Sequence, residues 1–214
     1  MTIRSLFPAL VLAAACGGTP ETDGGDGTGT LEVQASVEGD RGDLSSDMEV
    51  RVRRAGVPVT DAVVTLESDL GTVTLVHEVD GHYYGSQVGW GAYYHLEVSA
   101  GDDHLDGTIR APDMPTITAP DPAVALDPHA IASGTVTVTW AEDGADLARV
   151  KTKEFFYEGP DTGSVGIPAT FFVEESQELE VQRRNAVTLA GGTTGSTLDA
   201  RADAKLVLAV TNPY

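Results

Sequence analysis

The residues best placed to do chemistry lie in HYYGSQVGWGAYYH, residues 82–95, which carries four of the six tyrosines, Trp90, His82 and His95. In an extended chain one tyrosine of each adjacent pair faces inward and the other outward. Trp90, between Gly89 and Gly91, falls at a turn where burial is hard. An exposed indole there, with Tyr83 and Tyr93 beside it, could stack on a sugar or anchor a protein partner. On that reading Trp90→Ala weakens retention and leaves the melting temperature unchanged. The competing reading is an aromatic strand pair with Trp90 folded over a loop.

Three acidic turns follow: EGDRGDLSSD (38–47), SAGDDHLDG (99–107) and PDTG (160–163). Paired carboxylates such as Asp103 and Asp106 could hold Ca²⁺, yet Asp and Gly are also ordinary turn residues. The triplet Arg41-Gly42-Asp43 spells an integrin-binding tripeptide by chance composition. His82 and His95 facing each other across the aromatic segment would supply two metal ligands at most. The five histidines form no HExxH motif, and no second cysteine exists for a thiolate site. There is no Gly-x-Ser-x-Gly elbow and no phosphate-cradling glycine loop. No catalytic residue, metal site or cofactor is assigned, and the expectation is a protein that is not an enzyme. RVRR (51–54) and QRR (182–184) are basic islands whose arginines should face water and pair with carboxylates.

The lone cysteine has a different setting. MTIRSLFPALVLAAAC has a basic residue, a short apolar run from Leu6 to Ala15 and small residues before Cys16. That is the layout of a secretory signal, too short for a membrane span and broken by Pro8. Leu-Ala-Ala-Ala-Cys at 12–16 resembles the lipobox of bacterial lipoproteins, with Leu12 one place further out than the family prefers. The resemblance implies removal of residues 1–15 and acylation of Cys16, a palmitate-bearing membrane anchor. Gly17 in place of an aspartate implies routing to the outer membrane of the cell envelope. Residues 16–30 then form a Gly/Asp/Thr-rich disordered linker without aliphatic residues, a tether of about 20 Å on average.

Composition narrows the partners. Thirteen Lys and Arg oppose 33 Asp and Glu, a net charge of −20. Such a chain is repelled by nucleic acid and by anionic headgroups. With Cys16 acylated no disulfide forms within one chain, so stability comes from burial.

From Leu31 the periodicity is two rather than 3.6. LEVQASV, MEVRV, AVVTLES, TVTLVHEV, HYYGS, YHLEVSA and GTIRA alternate before Pro112. GTVTVTWAE, ARVKTKEFFYE, ATFFVEE, ELEVQRR, AVTLAGG and KLVLAVT follow a segment with four prolines (112–122). Short alternating runs with regular turn signals predict an all-β chain of antiparallel sandwiches. The expected domains are 31–113 and 120–214. Tyr94, Leu96, Val98 and Ala100 resemble the sixth-strand pattern of immunoglobulin-like and fibronectin type III-like domains. There the tyrosine hydroxyl pins a loop. Trp140 resembles the buried strand-B tryptophan of the same superfamily. The function this implies is a lipid-anchored binding or structural module with a protein or glycan partner. The alternative is a glycan-binding accessory, or a hydrolytic enzyme with a site assembled from sandwich loops.

Overall fold

Sixteen strands, and only two single-turn 3-10 segments, account for the regular structure in the computed structural model, which describes residues 29–42, 45–141 and 144–214. The first nine strands are β1 (Leu31–Asp40), β2 (Ser45–Arg54), β3 (Val57–Pro58), β4 (Val63–Ser68), β5 (Gly71–Thr74), β6 (Val76–Val79), β7 (His82–Val88), β8 (Tyr93–Ala100) and β9 (Asp103–Arg110). The rest are β10 (Ile117–Ala119), β11 (Thr135–Trp140), β12 (Leu147–Lys151), β13 (Phe156–Gly159), β14 (Ser164–Pro168), β15 (Ser176–Thr188) and β16 (Thr197–Ala209). The chain is all-β and folds as two sandwiches, as its alternation requires.

The sandwiches share a sheet. One nine-stranded sheet runs β13-β12-β15-β16-β1-β2-β7-β6, with β3 added at β2. The four-stranded sheet β5-β4-β8-β9 covers one end of it and the three-stranded sheet β10-β11-β14 the other. Two apolar cores result. The first joins Leu31, Val33, Val50, Leu66, Leu96 and Ile109 with Leu189, Leu198 and Ala200. The second joins Val138, Trp140, Val150, Phe172, Leu179 and Leu208. Each buried Val or Leu contributes about 1.5–3 kcal/mol.

The expected boundary at 113–120 is therefore crossed by strands. β15 and β16, each 13 residues long, pair along their whole length. Their chain turn lies in the first core and their free ends lie in the second. β16 also pairs with β1 in parallel, from Gln34↔Thr197 to Asp40↔Asp203. That pairing places residues from near the end of the sequence inside the first sandwich. The segment STLDARADAK carries charged residues at alternate positions, which hid the first half of this strand; its second half falls in KLVLAVT. Its register puts Leu198, Ala200, Ala202 and Ala204 inside. On the outer face Asp199 accepts two bonds from Arg184 Nη2 (2.9 Å each) and one from Arg201 (3.1 Å), which also pairs with Glu38 at 2.6 Å. Charges that look like a loop in sequence are a ladder across β15, β16 and β1.

Candidate functional site

Cys16 and the signal lie outside the described residues, as do most of the linker and Asp43.

The aromatic segment is not a hairpin of paired strands. β7 belongs to the nine-stranded sheet and β8 to the four-stranded one, so Val88–Ala92 is an arch between layers. Gly89 enables it with a φ of 98° that other residues rarely adopt. Alternation does sort the tyrosine pairs as expected, with Tyr83 and Tyr94 buried and Tyr93 at the surface. Burial removes Tyr83 as a ligand-binding residue. Its hydroxyl donates to Val59 O and accepts from Ala62 N, both at 2.9 Å. Tyr94 O–H accepts from Gly91 N at 2.9 Å and meets Ser46 Oγ at 2.8 Å. Burial, foremost, pushes that phenol's pKa up. Tyr94 thus pins the arch, as the resemblance implies, and Leu96, Val98 and Ala100 are buried beside it.

Trp90 is also turned inward, correcting the reading of an exposed indole. It packs against the first core, edge-on to Tyr94 with ring centroids 5.3 Å apart. It lies over Gly39, where a Cβ would come within 2.4 Å of its ring, and close to the Met114 methyl that would meet the same Cβ. Its Nε1 donates to Pro112 O at 2.7 Å. An arch with no partner strand leaves the indole one way to escape water, which is to fold into the gap between the sandwiches.

That gap is crossed by several long-range hydrogen bonds. The connecting segment 110–116 contains Pro112 and Pro115, which offer no N–H, so it is held by its carbonyls. Asn185 Nδ2 donates to Arg110 O (2.8 Å), Trp90 to Pro112 O, Arg183 Nη1 to Asp113 O (3.2 Å) and Arg41 Nη1 to Pro115 O (2.9 Å). Arg41 also bonds Thr116 Oγ1. It is a structural clamp, and its guanidinium is not presented as part of an integrin-binding tripeptide. Prolines that separate the two expected domains in sequence form a strap.

Arg183 departs from the expectation for QRR. Arg184 faces water and pairs with Asp199, whereas Arg183 is 1% exposed on the inner face, with its Nε 3.0 Å from Asp161 Oδ2. The other oxygen of that buried carboxylate accepts from Trp140 Nε1 at 2.7 Å. Trp140 is therefore buried as expected, and Asp161 of the PDTG turn is its partner rather than a calcium ligand. The missed signal was phase: Leu179, Val181 and Arg183 share one face of β15. Of the RVRR arginines, Arg54 pairs with Asp103, while Arg51 and Arg53 make no ion pair among the described residues.

The remaining candidates are occupied locally. Asp103 accepts from Thr30 at 2.7 Å and from Arg54, and the Thr30 bond, then Arg54, holds its carboxyl below the usual range. Asp106 lies 4.0 Å from His104. His82 bonds Glu49 (2.8 Å) on one sheet and His95 bonds Thr108 (2.8 Å) on the other, so they do not face each other. Among the described residues no group of three His, Cys, Asp or Glu side chains is arranged to hold a metal ion.

No protein-family model matches the chain, and no curated protein matches it. Among solved structures it is similar to a two-domain fibronectin type III segment of chicken tenascin. The two are 11% identical over 85% of this chain and 98% of that one, with a TM-score of 0.26. A Salmonella alpha-2-macroglobulin mutant is 12% identical over 93% of this chain, with a TM-score of 0.31. The chain spans 16% of that macroglobulin's length.

Proposed function

We propose that this protein is a non-catalytic module of the cell envelope, lipid-anchored through Cys16, that holds its second sandwich away from the membrane. The observation that carries the reading is the parallel pairing of β1 with β16. β1 starts at Leu31 at the outer end of the first sandwich and runs toward the second, as β16 does. An anchor upstream of Leu31 is thereby joined at one pole, and the ends of β16 and the chain lie at the other. Thirteen residues of β16 span about 40 Å. A tether of about 20 Å would add to that reach. The through-running strands and the clamped strap support a stiff body, which a spacer needs. The Gly17 signal favours the outer membrane.

The anchor is tested by Cys16→Ser. The expected result is release from membranes into the aqueous phase on detergent partitioning, with the folded body unchanged. Retention of the variant in the detergent phase overturns the anchor. Mass spectrometry of the mature N-terminus gives the direct readout, an acylated cysteine.

A further inference from the structure

The face of the nine-stranded sheet turned away from both cores differs between its two halves. Toward β12 and β13 most of its charges are matched, Arg184 with Asp199, Arg149 with Glu158 and Lys205 with Asp40. Toward β6 two adjoining grooves, of about 540 and 350 Å³, share Ser36, Glu38 and Glu49 and so form one cleft across β16, β1, β2, β7 and β6. Four inter-strand gaps make it about 19 Å long. Register sets its floor on the outer face. Ser36 lies across from Glu49 and Glu49 from Tyr84, and their chain neighbours Val37, Val50 and Tyr83 are buried. We propose that this cleft binds a neutral, hydroxyl-rich oligosaccharide.

Three observations select that ligand. The first is a stock of unused polar groups. Among the described residues Gln34, Ser36, Ser86 and Thr197 make no side-chain hydrogen bond, and Asp47 and Arg51 make no ion pair. Arg51 Nε is buried with no acceptor among them. The second is a fixed aromatic surface. Glu49 Oε1 meets His82 Nδ1 at 2.8 Å and accepts from the Tyr84 hydroxyl at 3.3 Å. The two rings lie 17° from parallel with centroids 6.1 Å apart. Tyr84, half-buried, lines the cleft beside Val76, which is 67% exposed. The third is the placing of charge, with Asp47 and Glu78 in one groove and Arg51 in the other.

A carboxylate only accepts and a guanidinium only donates. A polyanion laid along the cleft meets Asp47 and Glu78, and a polycation meets the unpaired Arg51. A hydroxyl donates to the first pair and accepts from the second without bringing charge to either. The C–H face of a sugar ring would cover Tyr84 and Val76. A peptide strand fits less well. β1, β2 and β7 each have a partner strand on both sides, so the floor offers no main-chain pairing. Stacking on a sugar, expected in sequence at Trp90, is thereby assigned to Tyr84.

The test is calorimetric titration of the full chain, in a detergent without a sugar headgroup, with maltohexaose, cellohexaose and chitohexaose. Expected is saturable binding of at least one hexaose, little changed by added salt because the ligand is uncharged. Tyr84→Ser should weaken it about tenfold, and Asp47→Ala and Arg51→Met several-fold each. Asp47 is exposed and unpaired, so its variant should unfold at the parent's midpoint and keep the readout clear of folding. Glu178→Gln, on the same face of β15 but outside the cleft, should bind as the parent does. The proposal is overturned if no hexaose binds saturably, or if Tyr84→Ser and Asp47→Ala bind like the parent. It is equally overturned if Glu178→Gln loses as much as they do. Tighter binding of hexalysine or hexagalacturonate than of any neutral hexaose also overturns it, by making the ligand a polyelectrolyte. Binding in this assay does not depend on the anchor, so its failure is distinct from failure of the Cys16 test.

Discussion

The two sandwiches are closed by different chemistry. In the first, the buried keystone is Tyr94, whose hydroxyl serves Gly91 and Ser46, next to Trp90 bonded to a proline carbonyl. Every partner is neutral. In the second, the keystone is the buried Arg183–Asp161 pair, with Trp140 on the same carboxylate. Both solutions satisfy buried polar groups, but the stakes differ. A neutral donor left unpaired costs about 1–3 kcal/mol, whereas an ion left alone in a core costs several. The second sandwich is accordingly the more brittle to single substitutions around its keystone. Arg183 also reaches Asp113 O, so the same ion pair is joined to the strap.

The largest effect should come from breaking that ion pair. Arg183→Ala is expected to lower the unfolding free energy by about 3–5 kcal/mol in urea titration, because it strands Asp161. Arg183→Met with Asp161→Asn should recover much of the loss, since asparagine can still accept from Trp140. No recovery would show that the deficit lies in lost hydrogen bonds such as that to Asp113 O rather than in the stranded charge. Trp90→Ala ranks next, at about 2–4 kcal/mol, through the cavity left over Gly39 and the freed Pro112 carbonyl. An unchanged melting temperature in that variant would restore the exposed-indole reading. Tyr94→Phe removes only a hydroxyl and should cost about 1–3 kcal/mol, by orphaning Gly91 N–H.

The smallest effects are on pH dependence. Burial, foremost, raises the Asp203 carboxyl, with Glu180 and Glu38 adding and the Gln182 bond opposing. A raised folded value means the native state binds that proton more tightly than the unfolded chain. Its contribution to stability therefore declines as pH rises through the window between the two values. Asp203→Asn should raise the unfolding midpoint at neutral pH and leave it unchanged below the ordinary carboxylate range. Asp103 runs the other way. Its lowered carboxyl contributes above the unfolded value, and the contribution disappears as pH falls through the folded one. Asp103→Asn should flatten the acid limb of the profile slightly.

Much of the architecture was legible because period-two alternation is a local property. It marked most strands and put one tyrosine of each adjacent pair inside, though Tyr83, read as outward, is the buried member of its pair, and the family resemblance rather than alternation placed Trp140 inside. It failed where charge disguised a strand, as in the first half of β16, and where a residue's type outvoted its phase, as at Arg183. The reading of Trp90 failed for another reason. Glycines on both sides suggest an exposed turn, but whether a turn joins paired strands or bridges two layers is set by strands elsewhere.

Alternation, turn residues and the proline-rich segment were thus sufficient for an all-β chain with two apolar cores, because each depends on neighbours a few residues away. The shared sheet and the carbonyl clamp on 110–116 were settled only by tertiary structure. Each joins groups distant in sequence, such as Gln34 with Thr197 and Arg183 with Asp161. Such partners are chosen by register and burial across the whole fold, and no local pattern encodes them.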